Sequence, residues 1–419
     1  MIILKKAKAE ICGRMDSVRE DVAKIIEDVR CRGDQALMEL TSRYDGVAVN
    51  SLKVAQEEIK QAYRKVDDQT IDYLQLAANR IKSFAEKQLG CLLPLEYESS
   101  PGVVLGHRLI PISSCGAYIP GGRFPLPSSA LMSIIPAKAA GVKRVAACSQ
   151  PSKTYSGIHP AVLVAMDIAG ADEIYTMGGA QAVAAYACGT DSLPGVDMIV
   201  GPGNIYVTEA KRQVSGSVGI DILAGPSEAL IIADEHARPE LIACDLLAQC
   251  EHDPSARSIL ATNSRTLAGQ VQEMIYSVGA SLETGKAALE AWEDNGQVIL
   301  VDSLAEAAVV SDQFAPEHLQ LQTAKNDELI NSLHNYGSLF IGENAPVVFG
   351  DYISGTNHIL PTMGGSRFSS GLWAGIFIKV SSYQKLTREG AASLAGACSH
   401  LAGLEGLKAH QRSADLRRG

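Results

Sequence analysis

Gln249-Cys-Glu-His252 sets a side-chain amide and an imidazole three residues apart. On a helix that spacing puts both on one face. Asp351 adds a carboxylate and His410 a second imidazole. Together they make a mixed N/O set of the kind zinc accepts. Pro316-Glu317-His318 and Thr356-Asn357-His358 add acid–base groups, and histidine is the usual proton carrier near neutral pH. A metal site beside a Glu–His pair points to an enzyme. Each group alone also has a plainer reading. His252 precedes Asp253-Pro254, which stops a helix and leaves the imidazole as a cap. Glu317 suits the positive start of a helix, and His410 suits a solvated tail. Only the set carries the chemistry.

Four glycine-rich turns accompany these groups. Gly116-Ala-Tyr118-Ile-Pro-Gly121-Gly122 demands unusual backbone angles and lets a ligand approach the main chain. Met177-Gly178-Gly179-Ala180-Gln181 runs from a strand through Gly-Gly into a helix, and Gly201-Pro-Gly203-Asn204 repeats that design. Such junctions bind phosphates on helix N-termini in parallel sheets. Neither is a Gly-x-Gly-x-x-Gly, so the dinucleotide signal lies in their repetition. Ala224-Gly-Pro-Ser227-Glu228 is the fourth turn. No Gly-x-Ser-x-Gly elbow surrounds Ser227, which favours a hydrogen-bonding role over a nucleophilic one.

The elements that must hold these groups alternate. Residues 15–45 and 54–90 read as helices, the first opened by the capping-box pattern Ser17-Val-Arg-Glu20. Short β-branched runs then fall at 144–148, 173–177, 197–201 and 220–224, with helical stretches at 158–169, 180–187 and 204–215. A second series has strands at 230–234, 259–262, 298–302 and 339–342, with helices at 236–252, 265–293 and 303–312. Alternation of this kind builds parallel sheets covered by helices. The expected fold class is α/β: two Rossmann-like parallel-sheet domains, one inserted in the other, plus small helical N- and C-terminal parts. The tail beyond about residue 385 reads as a helical appendage that packs elsewhere, on a partner subunit.

With 419 residues the chain can build more than one core. A net charge of −10 argues against a nucleic-acid partner, which needs a basic footprint. Nine cysteines without a Cys-x-x-Cys pair read as reduced, structural thiols. The start of the chain carries no apolar signal core, and no run of 18 apolar residues follows. The expectation is a cytoplasmic protein with no membrane partner.

Taken together the motifs resemble those of the histidinol dehydrogenase family. The matching segments include Gly116–Gly122, Pro136-Ala-Lys-Ala-Ala-Gly141-Val, Gly178–Gln181, Gly201-Pro-Gly-Asn204-Ile-Tyr-Val, Ala224–Glu228, Gln249–Asp253, Phe314-Ala-Pro-Glu-His-Leu319 and Gly350-Asp351 through His358 to Thr362. They span nearly the whole chain. The resemblance implies a zinc- and NAD-dependent homodimer that oxidises an alcohol through an aldehyde to a carboxylate, L-histidinol to L-histidine in the first instance. It implies zinc on Gln249, His252, Asp351 and His410, and NAD contacts from Tyr118, Gln181 and Asn204. It also implies His318 as general base, Glu317 as activator of water, and a substrate site lined by Ser227, His358 and Glu405 together with Gln249, His252, His318, Asp351 and His410. The expected division is 1–15 with 373–399 as a small helical part, 16–119 with 230–372 as one Rossmann-like domain, 120–229 as the inserted NAD-binding domain, and 400–419 as a tail reaching the partner's site. Arg108, Arg123, Trp373 and the tail around Asp415 depart from the biosynthetic pattern. They resemble a paralogous branch acting on other small polar or anionic alcohols such as sulfonated diols. Arginine suits an anionic group, though both arginines also fit surface ion pairs.

Overall fold

The structure is a computed structural model that describes residues 1–8, 16–121 and 124–419. Two doubly wound layers dominate it. The first is a five-stranded, all-parallel sheet in the order β6-β5-β4-β7-β8. Its strands are β4 (Ser114–Ile119), β5 (Arg144–Ser149), β6 (Glu173–Thr176), β7 (Met198–Val200) and β8 (Gly219–Ile220). Helices α1 (Arg19–Arg32), α2 (Asp34–Asp45), α7 (Gly179–Cys188) and α8 (Ile205–Val214) cover one face. Helices α3 (Gln56–Tyr63), α4 (Asp68–Leu89), α5 (Pro127–Ala139) and α6 (Pro160–Ile168) cover the other. Strands buried on both faces read as continuous apolar runs, and β5, Arg-Val-Ala-Ala-Cys-Ser, is buried at every position but its first.

The second layer is a six-stranded sheet in the order β1-β11-β10-β9-β12-β13. Its members are β1 (Ile2–Lys5), β9 (Glu228–Ala233), β10 (Arg257–Thr262), β11 (Gln297–Leu300), β12 (His318–Gln322) and β13 (Ser338–Ile341). Only β1 is antiparallel. Helices α9 (Pro239–Cys250), α10 (Arg265–Ser281) and α11 (Gly285–Asn295) pack on one face. Helices α12 (Leu304–Phe314) and α13 (Asn326–Ile330) pack on the other. Helix α14 (Val347–Tyr352) follows, and the chain then crosses back. Ile359, Leu372 and Phe377 on that return join the core of the first layer. A three-stranded antiparallel sheet, β2 (Leu95–Ser100), β3 (Val103–Pro111) and β14 (Ile378–Leu386), leads to the terminal helices α15 (Arg388–Leu404) and α16 (Lys408–Asp415).

The α/β class and the strand–helix alternation stand as expected. Several boundaries move. Residues 15–45 form two helices because Gly33 breaks the run at φ 54°. Arg19 opens α1 with Val18, not Ser17, at the cap position and no side-chain cap there. The stretch 54–90 splits at 64–67, where Asp67 caps α4 by accepting from Thr70 N, and 265–293 splits before Gly285. The run at 220–224 yields only the short β8.

The division of the chain also differs. Segment 16–119 does not join 230–372: α1–α4 pack on the five-stranded sheet, and β4 is its central strand. Residues 2–5 are an edge strand of the other sheet, and 378–386 is a strand rather than helix. The strands 95–100 and 378–386 are largely exposed on both faces, so no burial period marks them in sequence. Among the described residues all eight cysteines are free, and no helix is long and apolar enough to cross a membrane.

Candidate active site

A tight reversal positions the Glu–His pair. Helix α12 ends at Ala315, a non-glycine residue at φ 53°, where an L side chain is strained. Pro316 follows, then Glu317, and β12 begins at His318. The neighbouring strand β9 holds both side chains through one residue. Glu228 N donates to Glu317 Oε2 at 2.8 Å, and the Glu228 carbonyl accepts from His318 Nδ1 at 3.0 Å. A carbonyl can only accept, so Nδ1 carries a hydrogen and Nε2 is the atom left to gain or lose a proton. That Nε2 is buried without a hydrogen-bond partner, 3.6 Å from Asp351 Oδ1. The Glu228 carboxylate is tied to Arg257 at 3.3 Å and accepts from Met363 N at 3.1 Å. The sequence analysis singled out the turn at Glu228 but not this bracing. The apolar strand that follows Glu228 was the available signal for its burial.

Burial raises the Glu317 carboxyl, and the His318 charge only partly offsets this. Burial alone would lower His318, but the charge of Glu317 and the close carboxylate of Asp351 outweigh it and raise the imidazole. At Asp351, burial is likewise outweighed, by His318 first and then by His358 and His252, so its carboxyl lies below the ordinary range. Asp351 belongs to α14, and its carbonyl accepts from His358 Nδ1 at 2.9 Å. Ser129 Oγ lies 3.4 Å from His358 Nε2. Asn357 pins this loop by donating to Met132 O at 2.8 Å and accepting from Ile359 N at 2.8 Å. Gln249, buried, occupies the last turn of α9, and His252 lies exposed just beyond it. Ser227, half-buried, immediately precedes β9. Gln249, His252, Asp351, Glu317, His318, His358 and Ser227 therefore gather where β9 and β12 begin.

His410 and Glu405 are not brought there. His410 lies exposed on α16 and Glu405 exposed at the end of α15. This helical pair packs chiefly on itself and against β14. It leaves Leu394, Leu401, Leu404, Leu407 and Leu416 exposed. The group Asp234, Glu235 and His236 has metal-type donors close together, but it lies at the opposite end of β9 with two exposed members. Arg108 is exposed on β3, Trp373 is half-buried with its ring over Gly375, and Arg123 lies outside the described residues.

The three candidate cofactor residues stand at the C-terminal strand ends of the five-stranded sheet. That sheet changes direction between β4 and β7, and such a switch point opens a crevice for ligands. Tyr118, buried near the end of β4, accepts from Gly179 N at 3.3 Å at the start of α7. Gln181 is buried two residues on. Asn204 caps α8, accepting from Tyr206 N at 3.0 Å and Val207 N at 3.2 Å, with its amide nitrogen left over. Gly201 is at φ 114°, and a Cβ there would lie 2.0 Å from the Tyr118 carbonyl oxygen. No other residue fits that approach.

An ion pair that the sequence reading missed holds the same turn. Lys211 and Asp221 are buried against one another, with side chains 2% and 0% exposed. Lys211 Nζ donates to Gly201 O at 3.0 Å, and Asp221 Oδ2 accepts from Gly201 N at 2.7 Å. Asp221 also accepts from Ile222 N. Removing one partner strands a buried charge, which costs about 3–5 kcal/mol. Lys211→Met is expected to lower the thermal midpoint by several degrees, read by calorimetry, and Lys211→Met with Asp221→Leu to recover much of the loss. A single variant as stable as the parent would show the pair to be dispensable.

Glycine-rich turns at parallel strand ends and a buried Glu–His pair suit a dehydrogenase, and the chain is an oxidoreductase of that class. It belongs to the histidinol dehydrogenase family, whose model matches residues 11–418. It is 47% identical to the histidinol dehydrogenase of Methanothermobacter thermautotrophicus, over 98% of this chain and 95% of that one. It is 43% identical to a histidinol dehydrogenase homolog of Shouchella clausii, over 98% and 97%. The crystal structure of histidinol dehydrogenase from Elizabethkingia anophelis superposes with a TM-score of 0.92 at 34% identity, covering 99% of this chain and 94% of that one.

Proposed function

We propose that this protein is a cytoplasmic, zinc- and NAD-dependent homodimer that oxidises L-histidinol through the aldehyde to L-histidine. The observation that carries this reading is the fixed tautomer of His318. Nδ1 is committed to the Glu228 carbonyl, so Nε2, beside Asp351, is the ring atom left to exchange a proton with substrate. The many carboxylates around it suit a cationic amino alcohol, and the relatives named for histidinol point the same way.

The donor set fits zinc. Asp351 is held ionised, Gln249 offers a neutral oxygen, and His252 offers an imidazole on the same side. His410 of the partner subunit would complete the four, because this chain's own His410 lies away from the other three. The metal would hold and polarise the substrate hydroxyl, and NAD would accept the hydride, since no side chain can. Nε2 of His318 would be the atom that takes the hydroxyl proton, since Nδ1 is held by the Glu228 carbonyl. Glu317, raised by burial, accepts a proton from water when the aldehyde is hydrated. Ser227, His358 and Glu405 of the partner subunit line the substrate. Tyr118, Gln181 and Asn204 bind NAD, with Gln181 and Asn204 using their amides.

Two measurements test the reading together. Zinc-loaded protein should form NADH with L-histidinol faster than with a panel of polyols and sulfonated diols. His252→Ala should lower zinc content by elemental analysis and activity in parallel. Preference for a sulfonated diol would move the protein to the paralogous branch, and full zinc occupancy in the variant would remove His252 from the metal.

A further inference from the structure

The chain leaves the five-stranded layer between β8 and β9 and returns to it after α14. The outgoing stretch, 221–227, carries Ser227, and the returning one, 353–377, carries His358. The two stretches are pinned side by side. Gly225 N donates to Thr362 Oγ1 at 2.6 Å, and Met363 N donates to Glu228 Oε2 at 3.1 Å. A Cβ on Gly225 would fall 2.4 Å from the Met363 sulfur, so the missing side chain is what makes room for the thioether. Each stretch is also anchored on its far side. Thr208 Oγ1 on α8 donates to Ala224 O at 2.7 Å, and Ser366 Oγ donates at 3.0 Å to Pro316 O, one residue before Glu317.

Met363 is the strained member. It is a non-glycine residue at φ 55°, and 51% of it is exposed. An L residue stays in that region only where its surroundings hold it there, and so exposed a side chain recovers little through burial. What holds it is the Glu228 carboxylate, itself 2% exposed. The other oxygen of that carboxylate faces Arg257 at 3.3 Å, and the Arg257 guanidinium stacks 4.3 Å from the ring centre of Phe314, the last residue of α12. The backbone of the same Glu228 holds Glu317 and His318. One buried carboxylate thus ties the returning stretch and the end of α12 to the residue that grips the Glu–His pair.

We infer that the Glu228 carboxylate is a positioning residue for the reaction. It fixes the joint between the layer of the glycine turns and the layer of the Glu–His pair, and so sets how the base faces the hydride acceptor. NAD is held by turns of the first layer and zinc by residues around α9 and α14, so each can bind with the joint loosened. The reaction needs both layers in register, and a misplacement of about 1 Å costs about 10²-fold in rate. The loss on removing the carboxylate therefore falls on kcat rather than on either affinity.

This inference rests on the proposed function above, so the test includes a variant of the pair itself. Full-length, zinc-loaded Glu228→Ala, Glu228→Gln, Thr362→Val and His318→Ala would be compared with the parent. The measurements are zinc content, NADH affinity by fluorescence titration, and kcat with whichever of L-histidinol and the sulfonated diols the parent oxidises faster. Glutamine keeps an oxygen for Met363 N and alanine does not. The expected result for Glu228→Ala is a kcat about 10–100-fold lower, with NADH affinity and zinc content within about twofold of the parent. Glu228→Gln should recover most of that rate. Thr362→Val removes the acceptor of Gly225 at the same joint and should show the same selective loss of kcat, which keeps the test decisive if Glu228→Ala does not fold. A parental kcat in Glu228→Ala, equal losses in the alanine and glutamine variants, or rate, NADH affinity and zinc falling together would each overturn the assignment. If His318→Ala abolishes turnover while the Glu228 and Thr362 variants keep it, only the positioning role fails. If His318→Ala keeps the parental rate, the proposed function fails along with it.

Discussion

His318→Ala should slow NADH formation from L-histidinol by about 10²–10⁴-fold, the range that loss of a positioned general base produces. The geometry makes the effect specific. Nδ1 is tied to a carbonyl that cannot donate, so no other atom of the ring can serve, and the Nε2 acceptor disappears outright. Glu317→Gln should act differently. Its Oε2 accepts from Glu228 N, a contact the amide oxygen of glutamine keeps, so the fold of the turn should survive while proton transfer from water does not. Single-turnover measurements starting from the alcohol and from the aldehyde should therefore show a much larger defect in the second. Equal slowing of the two half-reactions in Glu317→Gln would remove the proposed separation of roles.

The second large effect concerns subunit mixing. The His318→Ala and His410→Ala proteins should each be nearly inactive. If each site combines His318 of one subunit with His410 of the other, a mixed dimer holds one intact site and one doubly damaged site. Equal amounts denatured together and refolded give half mixed dimers, so about a quarter of parental activity should return. The exposed leucines on α15 and α16, and the distance of His410 from the other candidate ligands in its own chain, motivate the experiment. No recovery above the separate variants, with mixed dimers confirmed by mass, would place both histidines in one chain's site.

The α/β class and the parallel strands were legible because parallel strands buried on both faces are long apolar runs and the turns between them are glycine-rich. The glycine turns of Tyr118, Gln181 and Asn204 do meet at one sheet edge. What escaped has physical reasons. Gly33 interrupts an otherwise continuous amphipathic pattern, which periodicity averages over. The antiparallel sheet of 95–111 and 378–386 is mostly exposed, so burial leaves no imprint on its residues. Lys211 and Asp221 lie ten positions apart around a turn, and nothing local marks them as a buried pair. Glu228 holds the pair through its backbone, which a side-chain reading does not register.

The two sheets present opposite ends to the site. The five-stranded sheet offers its C-terminal strand ends, and the six-stranded sheet offers the ends where β9 and β12 begin. The helices run against their strands, so α7 and α8 aim their amino ends at the crevice, while α9 and α12 finish beside Gln249 and Glu317. Aligned peptide dipoles leave roughly half a positive charge at the first kind of end and half a negative charge at the second. The main chain alone thus sets up a field across the cleft, positive where phosphates would rest and negative where a metal cation and an ammonium would rest. That polarity does not titrate and survives any single side-chain replacement, so variants that lose chemistry at His318 or Glu317 should still orient both molecules the same way round.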